Sequence, residues 1–212
     1  MVLDPKVFKA YDVRGIHGSE IDEAGAYAIG RAYVEQFEPR RIAVGRDMRV
    51  SAPTMAAAVM EGAADAGADV LDIGLAGTEQ MYFAVGSLGL EGGIAVTASH
   101  NPKEYTGMKI VRRGALPVGG ESGLLEVRDR ALKGFGPVAK RGTITPHDIV
   151  PAYVEKVLSF VDLAAIKPIK VVIDGANGMG GTMLRPVLER LPIQVVECYF
   201  EPDGTFPHHE PN

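Results

Sequence analysis

The sequence predicts an α/β fold built on a largely parallel sheet, and three observations carry that reading. From Arg41 onward, short β-branched and aliphatic runs alternate with longer stretches of helical periodicity. The 26 glycines and 14 prolines read as turn chemistry, not as a low-complexity tract. A hydrophobic share of 46% with 23% charged residues over 212 positions is that of a folded globular chain. At roughly 150 residues per domain, this length corresponds to one domain and part of another.

The elements follow in order. The first run, Ile42 to Gly45, leads into Arg46-Asp47-Met48-Arg49. Ser51 is the expected N-cap and Pro53 sits in the first turn of a helix reaching about Ala66, where Gly67 stops it. A second run, Val70 to Ile73, precedes a helix from Thr78 to Gly86, and a third, Gly93 to Thr97, runs into a polar loop instead. A strand over Met108 to Val111 and a helix over Glu121 to Leu132 complete this unit. Lys133 to Pro146 lacks apolar periodicity and carries Gly134, Gly136, Pro137, Gly142 and Pro146, so it is the expected linker, dividing the chain into residues 1–140 and 141–212. Beyond it come a helix (Val150 to Val161), a strand (Lys170 to Ile173), a Gly-rich turn, a helix (Met179 to Arg190) and a strand (Ile193 to Cys198). Two strands and one crossover helix leave open edges and little core, so the second unit reads as the opening part of an α/β domain.

Composition excludes several classes. The net charge of −5 has the wrong sign for gripping a phosphate backbone, so no nucleic-acid partner is expected. Cys198 is alone, which excludes an internal disulfide and a cysteine-held zinc and favours a reducing, cytoplasmic setting. Met1 to Ala10 contains no continuous apolar stretch, so it is neither a signal peptide nor a span, and no membrane partner is expected.

The loop Thr97-Ala98-Ser99-His100-Asn101-Pro102 follows an apolar run, so it emerges at the carboxyl end of a strand, where α/β sheets bind ligands. A G-x-S-x-G elbow is missing, which argues against a serine hydrolase. The alternative is a turn in which Ser99 and Asn101 cap local backbone groups.

Four segments stand in order: Phe8-Lys9-Ala10-Tyr11-Asp12-Val13-Arg14-Gly15, Val44-Gly45-Arg46-Asp47-Met48-Arg49, the serine loop, and Glu104-Tyr105-Thr106-Gly107-Met108-Lys109-Ile110. Val172-Ile173-Asp174-Gly175-Ala176-Asn177-Gly178 and Pro202-Asp203-Gly204-Thr205-Phe206-Pro207 follow. Together they resemble the α-D-phosphohexomutases, in the phosphomannomutase/phosphoglucomutase branch, over nearly the whole chain. The resemblance implies a phosphohexomutase-type α/β/α first domain with a mixed, mostly parallel sheet, plus an incomplete second α/β domain cut before the metal-binding loop. It implies that Ser99 is carried as a phosphoserine and exchanges its phosphoryl group with a sugar phosphate, through a bisphosphorylated intermediate, so that hexose 1-phosphate and hexose 6-phosphate interconvert. It places Arg14, His100 and Lys109 with Ser99 as catalytic residues and Tyr11 and Asn101 as substrate- and phosphate-binding ones.

The chemistry suits these types. A phosphoserine adds about −1.5 to −2 charges, Arg recognises planar phosphate faces bidentately, and Lys supplies a movable point charge. Lys109 and His100 are both candidates for proton handling, unranked. The resemblance also implies Mg²⁺, held in this chain through a phosphate oxygen on Ser99, since the family's Asp-Gly-Asp-x-Asp-Arg loop is absent. The sugar- and phosphate-reading loops of its later domains are absent too, so the 212-residue chain alone is expected to be inactive. Two alternatives are a phosphoglucosamine mutase, where an Asp-Asn-Gly-Ile-Lys pattern is commoner, and a non-catalytic phosphate-binding or scaffold fragment. Thr78-Glu79-Gln80 stands where many relatives carry Thr-Pro, a departure that bears on local loop geometry.

Other features read structurally. Arg46, Asp47 and Arg49 are expected to form an ion-pair cluster that holds the loop before the helix. Gly175 to Thr182 imitates a P-loop but has Gly181 where the phosphate-binding lysine belongs, so its glycines are expected to serve a tight strand-to-helix turn. Gly119-Gly120-Glu121-Ser122-Gly123 lacks the histidine of the family's sugar-binding signature. His208-His209-Glu210 lacks metal-ligand spacing and is expected to be a solvated loop.

Overall fold

A computed structural model describes residues 1–138 and 140–211. Ala139, within the expected linker, and Asn212, the expected cut point, lie outside the described residues. The main sheet contains β1 (Val13–Ile16), β2 (Arg41–Arg46), β3 (Asp69–Leu75), β4 (Gly92–Val96), β5 (Tyr105–Arg112), β6 (Leu116–Pro117) and β7 (Ile144–Pro146). Their spatial order is β1-β5-β4-β2-β3-β7, with β6 beside β5. The pairs β4–β2, β2–β3 and β3–β7 are parallel, and β5 runs against β1, β4 and β6. Every strand except β5 therefore points the same way, so the sheet is mixed and mostly parallel in strand direction.

Alternation of side chains across the sheet makes two cores. On one face Val13, Val44, Ile94, Met108 and Ile110 pack under α1 (Glu23–Phe37), α2 (Ala52–Asp65) and α4 (Leu124–Lys133). On the other, Ala43, Ile73, Ala95 and Val111 pack under α3 (Thr78–Ser87). Helix α1 is capped by Asp22, whose carboxylate accepts from the Gly25 N–H at 2.7 Å. Its run from Ala28 to Val34 is buried, so α1 lacks the polar face that makes an amphipathic pattern visible. Helices α1 and α2 cross on small residues: a Cβ at Gly62 would stand 2.1 Å from the Tyr27 carbonyl oxygen, and one at Gly30 would stand 2.3 Å from that of Val59.

The second unit has a parallel pair, β8 (Lys170–Asp174) and β9 (Gln194–Cys198), joined by α6 (Met179–Leu188) and preceded by α5 (Val150–Leu158). One face of this sheet is open, with Val172 68% and Val196 37% exposed, while Val171, Ile173 and Val195 on the other are half-buried. The end of the expected linker behaves differently. Ile144–Pro146 pairs with β3 as an edge strand, the His147 N–H donates to the Asp72 carbonyl, and Ile149 is buried in the α3-side core. The first sheet thus runs past the boundary expected at residue 140. No described helix is long and apolar enough to cross a membrane.

Candidate functional site

Strand β4 is buried along its whole length and delivers Ser99 to the carboxyl edge of the sheet. Ser99 adopts a left-handed backbone with φ of 54°, which an L-residue disfavours. Its N–H donates to Thr97 Oγ1 at 2.9 Å, and the Asn101 side-chain amide donates to the Ala98 carbonyl at 2.8 Å. Asn101 therefore takes the local bracing role expected of a turn. The Ser99 hydroxyl does not: it is exposed and stands 3.3 Å from His100 Nδ1.

What holds the loop is Arg49. Its guanidinium is 1% exposed and donates to four backbone carbonyls, those of Ser99 (2.8 Å), Asn101 (2.6 Å), Pro102 (2.7 Å) and Tyr105 (3.2 Å). Asp47 supplies the counter-charge, with Oδ2 3.3 Å from Arg49 Nε, and accepts the Arg49 N–H on Oδ1 at 3.0 Å. Burial pushes the Asp47 carboxyl up, opposed by the Arg49 N–H and the Thr97 hydroxyl. Burial likewise lowers Arg49, opposed by Asp47. The pair expected to hold the loop before α2 thus holds the serine loop about 50 residues away. Arg46 bonds only locally, to the Asp47 carbonyl at 3.4 Å.

Arg14 and Lys109 reach the same side of the sheet. Register places Arg14 opposite Gly107, and the Thr97 N–H donates to the Gly107 carbonyl, so Arg14, Gly107 and Thr97 form one row over three strands. Lys109, opposite Ala95, shares that face by alternation. Gly107 leaves the middle of the row bare, and a Cβ there would meet the Val13 carbonyl at 2.1 Å. Arg14 pairs with Asp12 at 2.5 Å, and its Nε is buried without a hydrogen-bond partner among the described residues. Tyr11 stands apart: it is 81% exposed on the turn before β1 and lies against Gly119.

Ser99 and His100 line a cleft of about 300 Å³ whose other walls are the start of α3 (Gly77, Thr78, Glu79) and the Gly175–Gly178 loop with Met179, Met183 and Phe206. Two helix N-termini, capped by Gly77 and Gly178, border this space and favour negative charge. Gln80 reaches back to the Gly77 N–H at 2.9 Å, so the departure at residues 78–80 supplies its own cap. A side chain at Gly77 would collide with Met183, its Cβ 2.1 Å from the sulfur.

The P-loop imitation turns at Ala176 and Asn177, whose φ values are 52° and 54°, and not at its glycines. Gly181 instead permits close packing, since a Cβ there would be 2.0 Å from the Phe200 carbonyl oxygen. His208, His209 and Glu210 are exposed, as a solvated loop is expected to be, and the two histidines are also engaged: His208 Nδ1 is 2.7 Å from Asn177 Oδ1 and its ring stacks on Tyr199 at 3.9 Å, while His209 pairs with Asp174 at 3.1 Å. Gly119–Gly123 forms a short 3-10 turn outside the cleft walls. Among the described residues no three His, Cys, Asp or Glu side chains converge as metal ligands. This chain's own residues therefore do not by themselves fit the Mg²⁺ that the resemblance implies.

Comparison with known proteins converges on one family. Residues 5–131 match phosphoglucomutase/phosphomannomutase alpha/beta/alpha domain I, and residues 151–212 match domain II. The chain is 44% identical to a phosphomannomutase of Escherichia coli over 97% of its length and 47% of the relative's. It is 39% identical to a protein named for phosphohexose mutases from Xanthomonas campestris, covering 46% of that chain. A crystal structure of a phosphoglucomutase/phosphomannomutase family protein from Burkholderia thailandensis superposes with a TM-score of 0.90 at 32% identity, over 99% of this chain and 47% of that one. The chain spans about half the length of the curated relatives it matches.

Proposed function

The chain belongs to the phosphoglucomutase/phosphomannomutase family, and from that premise we propose that it supplies Ser99 as the phosphoryl carrier of a phosphohexomutase acting on mannose or glucose phosphates. The observation that carries this reading is the state of Ser99. Its backbone is held in the left-handed region by a buried arginine clamp, and its hydroxyl is exposed to a cleft bordered by two helix N-termini. The names of the phosphomannomutase relatives favour a hexose phosphate as the substrate.

In the first half-reaction the bond from phosphorus to Ser99 Oγ breaks as a bond to a sugar hydroxyl oxygen forms, and the hydroxyl proton passes in net terms to Ser99 Oγ. The second half reverses this with the sugar's other phosphate, so Ser99 ends phosphorylated. Positioning and charge stabilisation carry most of such a transfer. Arg14 and Lys109 add two cations from one sheet face toward the charge of the phosphoryl group. His100, 3.3 Å from Oγ, moves the proton there, with Lys109 as the other candidate. Asn101 braces the loop, and Tyr11, exposed on the turn before β1 and outside the cleft walls, keeps only the substrate-facing role that the family resemblance implies. Mg²⁺, which the described residues do not fit by themselves, would be held through an oxygen of phosphorylated Ser99 and would offset phosphoryl charge there. A cytoplasmic setting accords with the lone cysteine.

The test is exposure of the full-length protein to glucose 1,6-bisphosphate or mannose 1,6-bisphosphate, followed by phosphopeptide mapping. Phosphate on Ser99, lost in Ser99→Ala, is expected. A protein that takes up no phosphate, or takes it elsewhere, overturns the reading.

A further inference from the structure

Arg49 is covered from the second unit. The Phe206 ring, 7% exposed and with a backbone φ of 49°, lies 5.4 Å from the Arg49 guanidinium carbon. Two residues earlier, Gly204 is pressed onto the backbone that carries Arg49: a Cβ there would stand 2.6 Å from Val50 N, 2.8 Å from Arg49 Cα and 2.8 Å from the Met48 carbonyl oxygen. One residue thus meets Phe206 on one side and the Ser99 loop on the other. The four guanidinium contacts to the loop end on backbone carbonyls, so the loop's own side chains are not what recognises Arg49.

We propose that Arg49 is a positioning residue for Ser99, and that the Gly204–Phe206 turn of the second unit sets Arg49, so that seating this turn fixes the conformation in which Ser99 exchanges phosphate. The role as a phosphoryl carrier rests on the function proposed above; the mechanical coupling does not. A flat, weakly hydrated guanidinium suits both contacts, because its face takes an aromatic ring while its edge spreads donors over several acceptors. A lysine has one charge centre and cannot reach four carbonyls in that plane. With the ring removed, the guanidinium gains freedom normal to its plane and the loop loses its fixed partner.

The experiment compares amide hydrogen exchange at residues 98–104 in the full-length wild-type protein, Phe206→Leu, Phe206→Tyr and Arg49→Lys, alongside Ser99 phosphorylation by glucose 1,6-bisphosphate. Phe206→Leu is expected to speed exchange in this segment by at least about fivefold while β4 stays within about twofold, and Phe206→Tyr is expected to restore wild-type exchange. Arg49→Lys is expected to speed it further. Wild-type exchange at residues 98–104 in Phe206→Leu overturns the coupling, as does equal acceleration in Phe206→Tyr. If Arg49→Lys does not fold, the Phe206 pair decides alone. Exchange that responds while Ser99 takes no phosphate removes the phosphoryl-carrier role and leaves the coupling; phosphate uptake with unresponsive exchange removes the coupling only.

Discussion

Asp47 and Arg49 are joined at two points within one buried turn. The Arg49 N–H donates to Asp47 Oδ1 at 3.0 Å, and Arg49 Nε stands 3.3 Å from Oδ2, with side-chain exposures of only 1% for Arg49 and 7% for Asp47. Both charges are almost fully withdrawn from water, so each depends on the other. Asp47→Asn keeps an acceptor but leaves the guanidinium without a counter-charge, which costs about 3 kcal/mol when one partner of a buried pair is removed. Urea unfolding is the measurement, and a loss below about 1 kcal/mol contradicts the pairing.

Gly62→Ala has an unusual expected sign. In an exposed helix interior this change stabilises by roughly 0.5–1 kcal/mol. Here the new Cβ would lie 2.1 Å from the Tyr27 carbonyl oxygen, so α1 and α2 must separate, and overpacking of this kind costs about 1–3 kcal/mol. Thermal unfolding reads the difference, and a raised midpoint counts against the close crossing.

Asp69 sets a pH dependence. Its carboxylate accepts the Thr143 hydroxyl at 2.7 Å and the Thr143 N–H at 2.9 Å, and these hold it below the usual aspartate range. A depressed native value stabilises the fold fully above the unfolded value of about 3.9, and this contribution fades as pH falls through the native value. Thr143→Val, which removes the hydroxyl, is therefore expected to lower the unfolding midpoint modestly at pH 6–7, exposure limiting the effect, and hardly at all near pH 2. A gap that widens toward acid refutes the assignment.

Arg14→Lys tests the anion site. The substitution keeps one positive charge but loses the planar donor set, including the unpartnered Nε. Phosphate uptake at Ser99 is expected to slow by about 10- to 100-fold with an unchanged unfolding midpoint. Time-resolved phosphopeptide analysis decides this, and unaltered uptake removes Arg14 from the site.

The parts legible in sequence are those whose pattern is local. The apolar run before Thr97 announced both β4 and the exposed loop after it, and the uneven spacing of motifs still led to one sheet edge. Helix α1 was not legible, because burial of Ala28 to Val34 leaves no polar stripe to contrast with the apolar one. The role of Arg49 was hidden for another reason: its partners are carbonyls, which every residue possesses, so no residue type at positions 99–105 identifies them. The Ile144–Pro146 strand was hidden by its brevity and by a proline, which an edge position tolerates.

Helix α5 gives the connection between the two units a mechanical character. It is riveted to the first unit by Ile149 and by Tyr153, whose ring meets Phe83 edge-on at 5.7 Å, and tied to the turn after α6 by the 2.7 Å pair of Glu155 and Arg190. A flexible string would leave only the direct contacts between the units to resist tumbling. A stiff splint transmits torque instead, so any swing of the second unit must shear one of these two attachments or bend the chain beyond Leu158.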